Sequence, residues 1–167
     1  MGLSAIVDAQ VQFENTGTPA LGSNVHKYQG WGVRELADGT GTGQANRVFS
    51  QTITLAASAN QDLDLNGALV DALGGPAVFA RVKAIAINAR AANTNNVVVG
   101  AAAANGFVGP FGAATHTVAV PPGGQFVFSH PDAGWTVTAA TADLLRVANS
   151  GAGTPVTLDI VIVGTSV

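Results

Sequence analysis

From Arg47 onward the chain consists of short segments in which apolar and polar residues alternate, with turn-forming residues between them. In the first segment, 47–57, Phe49, Ile53 and Leu55 alternate with serine and threonine, the period-two pattern of a strand with one buried face. Roughly eight to ten antiparallel strands at this spacing predict an all-β fold, an antiparallel β-sandwich of two packed sheets. The other predicted strands are 62–65, 77–92, 96–100, 116–120, 125–130, 135–138, 143–149 and 156–163.

Four segments allow more specific predictions of secondary structure or burial. Alanines in 77–92 suit a helix, but the valines and isoleucines there favour a strand, which we predict. Residues 68–73 are the one predicted helix, with Asn66 as its N-cap and 74–76 as its stop. Pro121 to Gly124 is typical of a hairpin turn. The last strand, 156–163, is apolar at almost every position, which predicts burial on both faces, the outer one beneath a neighbouring subunit.

Residues 1–46 differ from the rest of the chain in composition and pattern. One alternating segment, 5–13, is followed by about thirty residues rich in glycine, threonine and asparagine, a length that is uncommon for a loop inside a compact domain. We therefore predict two regions: 1–46 as a strand and an extended N-terminal arm, and 47–167 as the sandwich. The residues expected to make the arm's contacts with other proteins are Lys27, Tyr28, Trp31, Arg34 and Arg47.

No charged residue occurs from Ala91 to Pro131, a run of 41 residues. Charged residues make up 10% of the whole chain, against about a quarter in an ordinary soluble domain. An exterior with so little charge indicates that another protein chain covers part of it. We expect the loops between Gly100 and Ala114 to lie at a subunit contact, with the packing made by Val97, Val99, Phe107 and Phe111.

Several function classes are excluded or disfavoured by composition. The chain contains no cysteine, which excludes disulfides, thiolate catalysis and cysteine-bound zinc. Its seven basic residues are scattered and its net charge is −3, so direct nucleic-acid binding is not expected. No apolar run approaches the ~20 residues of a membrane helix, and the N-terminus lacks the features of a signal peptide. We expect a protein made inside a cell, with no membrane partner and no cofactor.

Candidate metal sites are weak. Asp62, Asp64 and Asn66 form a possible calcium set, but three oxygen ligands fall short of the usual six to eight, so a solvated strand edge is favoured. His116 and His130 flank the predicted hairpin and could share a metal, although no carboxylate accompanies them before Asp132. Turn-flanking histidines are the favoured interpretation.

Catalytic signatures are also weak. The glycine-rich segment 38–43 lacks the strand, helix and lysine of a phosphate loop, and a flexible linker is favoured. Segment 129–132 has the residue types of a hydrolase triad, but triad members meet through the fold and no nucleophile elbow is present. The two glutamates, Glu14 and Glu35, show no carboxylate partner for glycoside hydrolysis. The sequence therefore predicts a protein that is not an enzyme.

The stretch from about Thr52 to Gly164 resembles a family of small β-rich virion proteins of tailed bacteriophages. This resemblance covers roughly two thirds of the chain and implies a jelly-roll-like sandwich on a phage particle, either as a head cement (decoration) protein or as a tail or fibre component. The segments that carry it are 62–65, 71–74, 79–85, 99–102, 109–112, 120–124, 132–135 and 142–149.

Three hypotheses follow. In the first, the protein is a non-enzymatic head cement protein that assembles in the host cytoplasm, binds the major capsid protein and itself as a dimer or trimer, and bridges capsid subunits. In the second, it is a tail or fibre module that binds other tail proteins or a host surface glycan, with Trp135 or Trp31 as the stacking platform. In the third and least favoured, it is a hydrolase.

Overall fold

The computed structural model describes residues 2–10, 12–17, 24–29, 34–67 and 69–167. Those residues contain strands, turns and irregular segments, and no helix. Within 12–17 and 24–29 only the side chains of Gln12 and Glu14 are described. The strands are β1 (Ala5–Val7), β2 (Gln12–Gly17), β3 (Asn24–Gln29), β4 (Arg34–Asp38), β5 (Gln44–Ala45), β6 (Arg47–Leu55), β7 (Asn60–Asp64), β8 (Arg81–Ala89), β9 (Val97–Ala101), β10 (Thr117–Val120), β11 (Gln125–Ser129), β12 (Trp135–Thr136), β13 (Leu144–Asn149) and β14 (Val156–Thr165).

Two antiparallel sheets form the body of the protein, which confirms the predicted all-β sandwich. The larger sheet has the order β11-β8-β14-β6, and β12 continues beside β8 after β11 ends. The second sheet has the order β10-β9-β13-β7. The alternating segments predicted from Arg47 onward all contain strands, and 77–92 is a strand over Arg81–Ala89, as predicted.

One hydrophobic core lies between the two sheets. The larger sheet contributes inward residues such as Ile85 and Ile160, and the second sheet contributes Val99 and Leu145, each at most 1% exposed. In β14 every second residue from Val156 faces this core, as the alternating pleat of a strand requires. Because both sheets present one apolar face, the core needs no helix to close it.

Strands β1, β4 and β5 pack on the outer face of the larger sheet. Strands β1, β4 and β5 form a small sheet, and it buries Leu36 and Ala45 against Ala84 and Val163. Part of the predicted extended arm therefore belongs to the folded body. The predicted single strand over 5–13 also differs, because β1 ends at Val7 and β2, which begins at Gln12, pairs with β3 as a separate two-stranded sheet.

The apolar outer face of β14 has two different environments. Val163 is 7% exposed because the N-terminal sheet of the same chain covers it. Val161 is 39% exposed. We predicted that a neighbouring subunit covers the outer face of this strand. At the Val163 end, the N-terminal sheet of the same chain covers it instead.

The helix predicted over 68–73 is wrong for 69–73, which contain no helical residue. Ala68 lies outside the described residues. Val70 instead forms a bridge with Pro76. The Asp71 carboxylate accepts hydrogen bonds from the backbone N–H groups of Leu73 and Gly75, both at 2.8 Å. A short acidic side chain that captures nearby N–H groups competes with helical hydrogen bonding, and the segment forms a tight turn.

The turn at Pro121 to Gly124 forms, but it does not make the predicted hairpin. The Gly124 N–H donates to the Pro121 carbonyl at 2.8 Å, and Gly123 has a φ of 74°, the left-handed region that glycine tolerates. The strands on either side belong to opposite sheets, however: β10 pairs with β9, whereas β11 pairs with β8. The chain crosses from one sheet to the other at this turn.

Candidate interface

The run without charged residues, 91–131, occupies one side of the sandwich. It contains β9, β10 and β11, and β10 and β11 are the last strands of their respective sheets. Because the turn at 121–124 joins these two strands, the free edges of both sheets lie on the same side of the molecule. We call this surface, made by β10, β11 and the loop 102–116, the uncharged side.

Three residues predicted to contact another subunit lie instead in the core. Val97, Val99 and Phe107 are each 0% exposed, and the Phe107 N–H donates to the Leu144 carbonyl at 2.9 Å. Their side chains are surrounded by other residues of the same chain and are not available to a second chain. Phe111 differs, because it is half-buried at the margin of the core.

An aromatic row lies along the margin of the uncharged side. The ring centroids of Phe126 and Phe128 are 4.3 Å apart, and Phe128 lies 5.9 Å from Phe111 and 6.2 Å from Trp135. All four rings are half-buried. The contacts of Phe128 with Phe111 and Phe126 are edge-to-face, and such contacts each contribute about 0.5–1.5 kcal/mol beyond burial, so the row stiffens this side of the sandwich.

Trp135, the proposed glycan platform, is packed against its own chain. The His130 ring lies edge-on to it at 5.6 Å between centroids. A side chain at Gly109 would place its Cβ 2.6 Å from the Cβ of Trp135, which shows how closely the loop approaches. The indole therefore helps to pack the loop and β11 against the core.

The outer edge of β11 presents backbone groups that pair with no other strand among the described residues. The Ala89 N–H donates to the Gly124 carbonyl at 3.0 Å, and the His130 N–H donates to the Lys83 carbonyl at 2.8 Å. Hydrogen-bonded pairs alternate along an antiparallel ladder, so Phe126 and Phe128 also bond toward β8. The N–H and C=O groups of 125, 127 and 129 consequently point away from the sheet.

The same reasoning applies to β10. The Ser150 N–H donates to the Asn96 carbonyl at 3.1 Å, so Val97 and Val99 direct their backbone groups toward β10. Thr117 and Ala119 are then left with their backbone groups at the free edge. Natural proteins usually protect such edges with charges, prolines or a covering segment, and neither β10 nor β11 carries a charged side chain.

Charged groups are concentrated on other strands. Arg146 on β13 makes two hydrogen bonds to Asp62 on β7, at 2.7 and 2.8 Å, and the bond to Asp62 raises the pKa of Arg146. On the outer face of the larger sheet, a hydrogen bond from Thr52 at 2.7 Å and then one from Arg90 lower the pKa of Asp159. Edge strand β7 is therefore an acidic edge, unlike β10 and β11.

The structure describes only part of the set of residues predicted for the arm's contacts. Lys27 and Tyr28 lie in β3 with undescribed side chains, and Trp31 lies outside the described residues. Arg34 is exposed in β4 opposite Val7. Arg47 begins β6, the strand at the other end of the larger sheet from β11; its Nη1 donates to the Asn46 carbonyl at 2.9 Å.

Sequence reasoning missed a buried lysine. Lys83 on β8 is 1% exposed, and its Nζ donates to the carbonyls of Gly41, at 3.4 Å, and Asp132. Burial lowers the pKa of Lys83. The glycine-rich segment 38–43, predicted as a flexible linker, is thereby bonded to the sheet. Lysine can occupy an apolar strand because its long stem lets the ammonium group reach polar partners. The one sequence feature that could have revealed the buried lysine is its isolated position in the apolar strand β8.

The candidate metal ligands have other partners. A ring N–H at His116 Nδ1 donates to the Phe111 carbonyl at 2.9 Å, and Asp64 accepts the Asn66 N–H at 3.1 Å. Within the part of the chain that the structure describes, no three His, Asp or Glu side chains cluster closely enough to hold an ion. That same part contains no helix able to cross a membrane.

Comparison with known proteins leaves this geometry as the main evidence. No protein-family model matches the chain, and no curated protein matches it either. The resemblance to phage virion proteins consequently stays a prediction from the segments quoted above.

Proposed function

We propose that this protein is a non-enzymatic structural protein of a phage particle, a head cement protein that binds the major capsid protein and further copies of itself. The observation that carries the proposal is the uncharged side, where two adjacent edge strands have no charged side chain and, among the described residues, no strand on their outer edge. Exposed edges of this kind pair readily with other chains. A protein that works alone in solution gains nothing from them.

The strand order supports the same proposal. The order β6-β14-β8-β11 faces β7-β13-β9-β10, and we interpret these eight strands as a jelly roll, an architecture that virus capsid proteins use. The mechanism is mechanical. Each bound copy adds a standard interface of about 1,600 Å², and many such contacts across a shell resist the outward pressure of packaged DNA.

Binding to capsids tests the proposal. Purified protein is mixed with mature heads that lack it, and co-sedimentation is measured for the unchanged chain and for two lysine variants. Ala119→Lys places a charge on edge strand β10, and Ala57→Lys places the same charge in the exposed turn after β6. We expect the unchanged chain and Ala57→Lys to co-sediment and Ala119→Lys to bind at least tenfold more weakly. Absence of binding by the unchanged chain would refute the cement role.

The tail or fibre hypothesis stays a prediction. A glycan array probed with the unchanged chain separates it from the cement role, since specific glycan binding together with no head binding would favour the tail.

A further inference from the structure

We infer that two copies of this chain pair through β11, antiparallel and centred on Val127, so that their larger sheets join into one continuous sheet. The inference deepens the proposed function, on which it rests for the assumption that the uncharged side is a contact surface. The partner it names is a second copy of this chain.

The backbone groups of β11 support this register. Gln125, Val127 and Ser129 direct their N–H and C=O groups to the free edge. When two copies of β11 run antiparallel about Val127, residue 125 lies opposite residue 129 of the second copy and residue 127 lies opposite its own equivalent. Each of these is a hydrogen-bonded pair, so about six hydrogen bonds form, two for each pair. Every outward group of the strand then has a partner.

The side chains on the two faces are complementary in the same register. On the outer face Val127, which is 39% exposed, meets its equivalent at the two-fold axis. The Gln125 amide lies opposite the Ser129 hydroxyl of the second copy and can donate to it. On the inner face Phe126 lies opposite Phe128 of the second copy, so each half-buried aromatic row continues into the other.

Charge favours this edge over that of β7, and a flanking segment disfavours the edge of β6. Each copy carries a net charge of −3, so association is easiest where no charge faces another. Pairing of β7 with itself would bring the acidic residues of two copies together, and like charges that face each other across strands are destabilising. Arg146 offsets the charge of Asp62, so the repulsion comes mainly from Asp64. The edge of β6 is partly flanked by residues 69–72, which line a cleft with Phe49 to Gln51.

The size of the contact indicates which other residues take part. A five-residue strand pair is smaller than a standard interface of about 1,600 Å². Strand β10 and the loop 102–116 lie on the same side, and their exposed residues are small or polar and uncharged. They can complete the interface around the strand pair as its outer rim.

Cysteine cross-linking tests the register, because the chain has no cysteine of its own. Opposed residues of a hydrogen-bonded pair have Cα atoms about 5.5 Å apart, within the range of a disulfide. We expect Val127→Cys to form a covalent dimer under mild oxidation. Val161→Cys is the matched control, since Val161 is also 39% exposed on the same face but lies in the central strand β14. A mixture of Gln125→Cys and Ser129→Cys copies should cross-link more than either alone.

Sedimentation of the uncrosslinked chain tests the association itself. We expect a dimer whose dissociation constant rises at least tenfold in Val127→Lys and changes less than twofold in Val161→Lys. Dimerisation itself raises the thermal midpoint, so the midpoints are compared at concentrations where all three chains are monomeric, and there they should be unchanged. A monomer at all concentrations, or equal cross-linking of Val127→Cys and Val161→Cys, would overturn the inference. The outcome is separate from the capsid assay: a dimer that does not bind heads contradicts only the proposed function, and a monomer that binds them contradicts only this pairing.

Discussion

Replacement of Phe107 separates a core role from a contact role for the loop after β9. Phe107 is 0% exposed and lies in the main hydrophobic core, whereas its place in a charge-free loop predicts a subunit contact. Truncation of a buried phenylalanine to alanine costs about 3–5 kcal/mol, from a total stability of about 5–15 kcal/mol. Phe107→Ala is therefore expected to remove a large share of the stability of the isolated chain.

The expected thermal shift follows from the size of the chain. In a domain of this length 1 kcal/mol corresponds to about 2–4 °C, so the thermal midpoint of Phe107→Ala should fall by about 6–20 °C. Phe107→Asp should be more damaging, because an unpaired carboxylate is then buried.

Circular dichroism on dilute protein measures the midpoint, and sedimentation measures the oligomeric state of the same samples. Leu73→Ala is the control, since Leu73 is 79% exposed and should shift the midpoint by less than about 2 °C. If Phe107→Ala kept the midpoint of the unchanged chain and lost only its self-association, the core assignment would be wrong.

Two further predictions concern the N-terminal sheet and the acid range. Leu36 is 1% exposed, so Leu36→Ala should lower the free energy of unfolding, measured in urea, by about 2–5 kcal/mol. Ile6 is 64% exposed, so Ile6→Ala should have little effect. Equal effects would show that the N-terminal sheet is not packed on the body. Asp159 has a lowered pKa, first through Thr52 and then Arg90, so its contribution is present above the unfolded pKa of about 3.9 and is lost as pH falls through the lower folded value. Asp159→Asn should therefore lower the urea midpoint at pH 7 and approach the unchanged chain as the pH falls from about 3.9 through the lower folded pKa. A difference that persists or grows in acid would contradict this reasoning.

Most strands could be predicted from local pattern. Period-two alternation in 47–57 and β-branched residues in 77–92 are typical of side chains on a pleated strand. Both segments contain the strand that these patterns predict. The helix predicted at 68–73 failed because the Asp71 side chain captures two N–H groups, a competition that propensity does not include.

The candidate interface could be predicted only in outline. The absence of charge from 91 to 131 predicted a contact surface in this part of the chain, but Val97 and Phe107 face the core while Gln125 and Val127 face outward. Apolar residues at a core and at a contact surface look alike in sequence. Their difference lies in which strands sit beside them.

Local sequence patterns were enough to predict the all-β class and the strand segments after Arg47, and residue identity alone excluded cysteine chemistry, because alternation and identity are local properties. The three-dimensional structure was needed to show that β10 and β11 belong to opposite sheets, that Leu36 packs against Val163 of β14 and that Lys83 bonds to the segment 38–43. These depend on pairings between residues far apart in the chain. The energy of such pairings comes from burial and hydrogen bonds that exist only after the sheets have formed, so no local pattern records them.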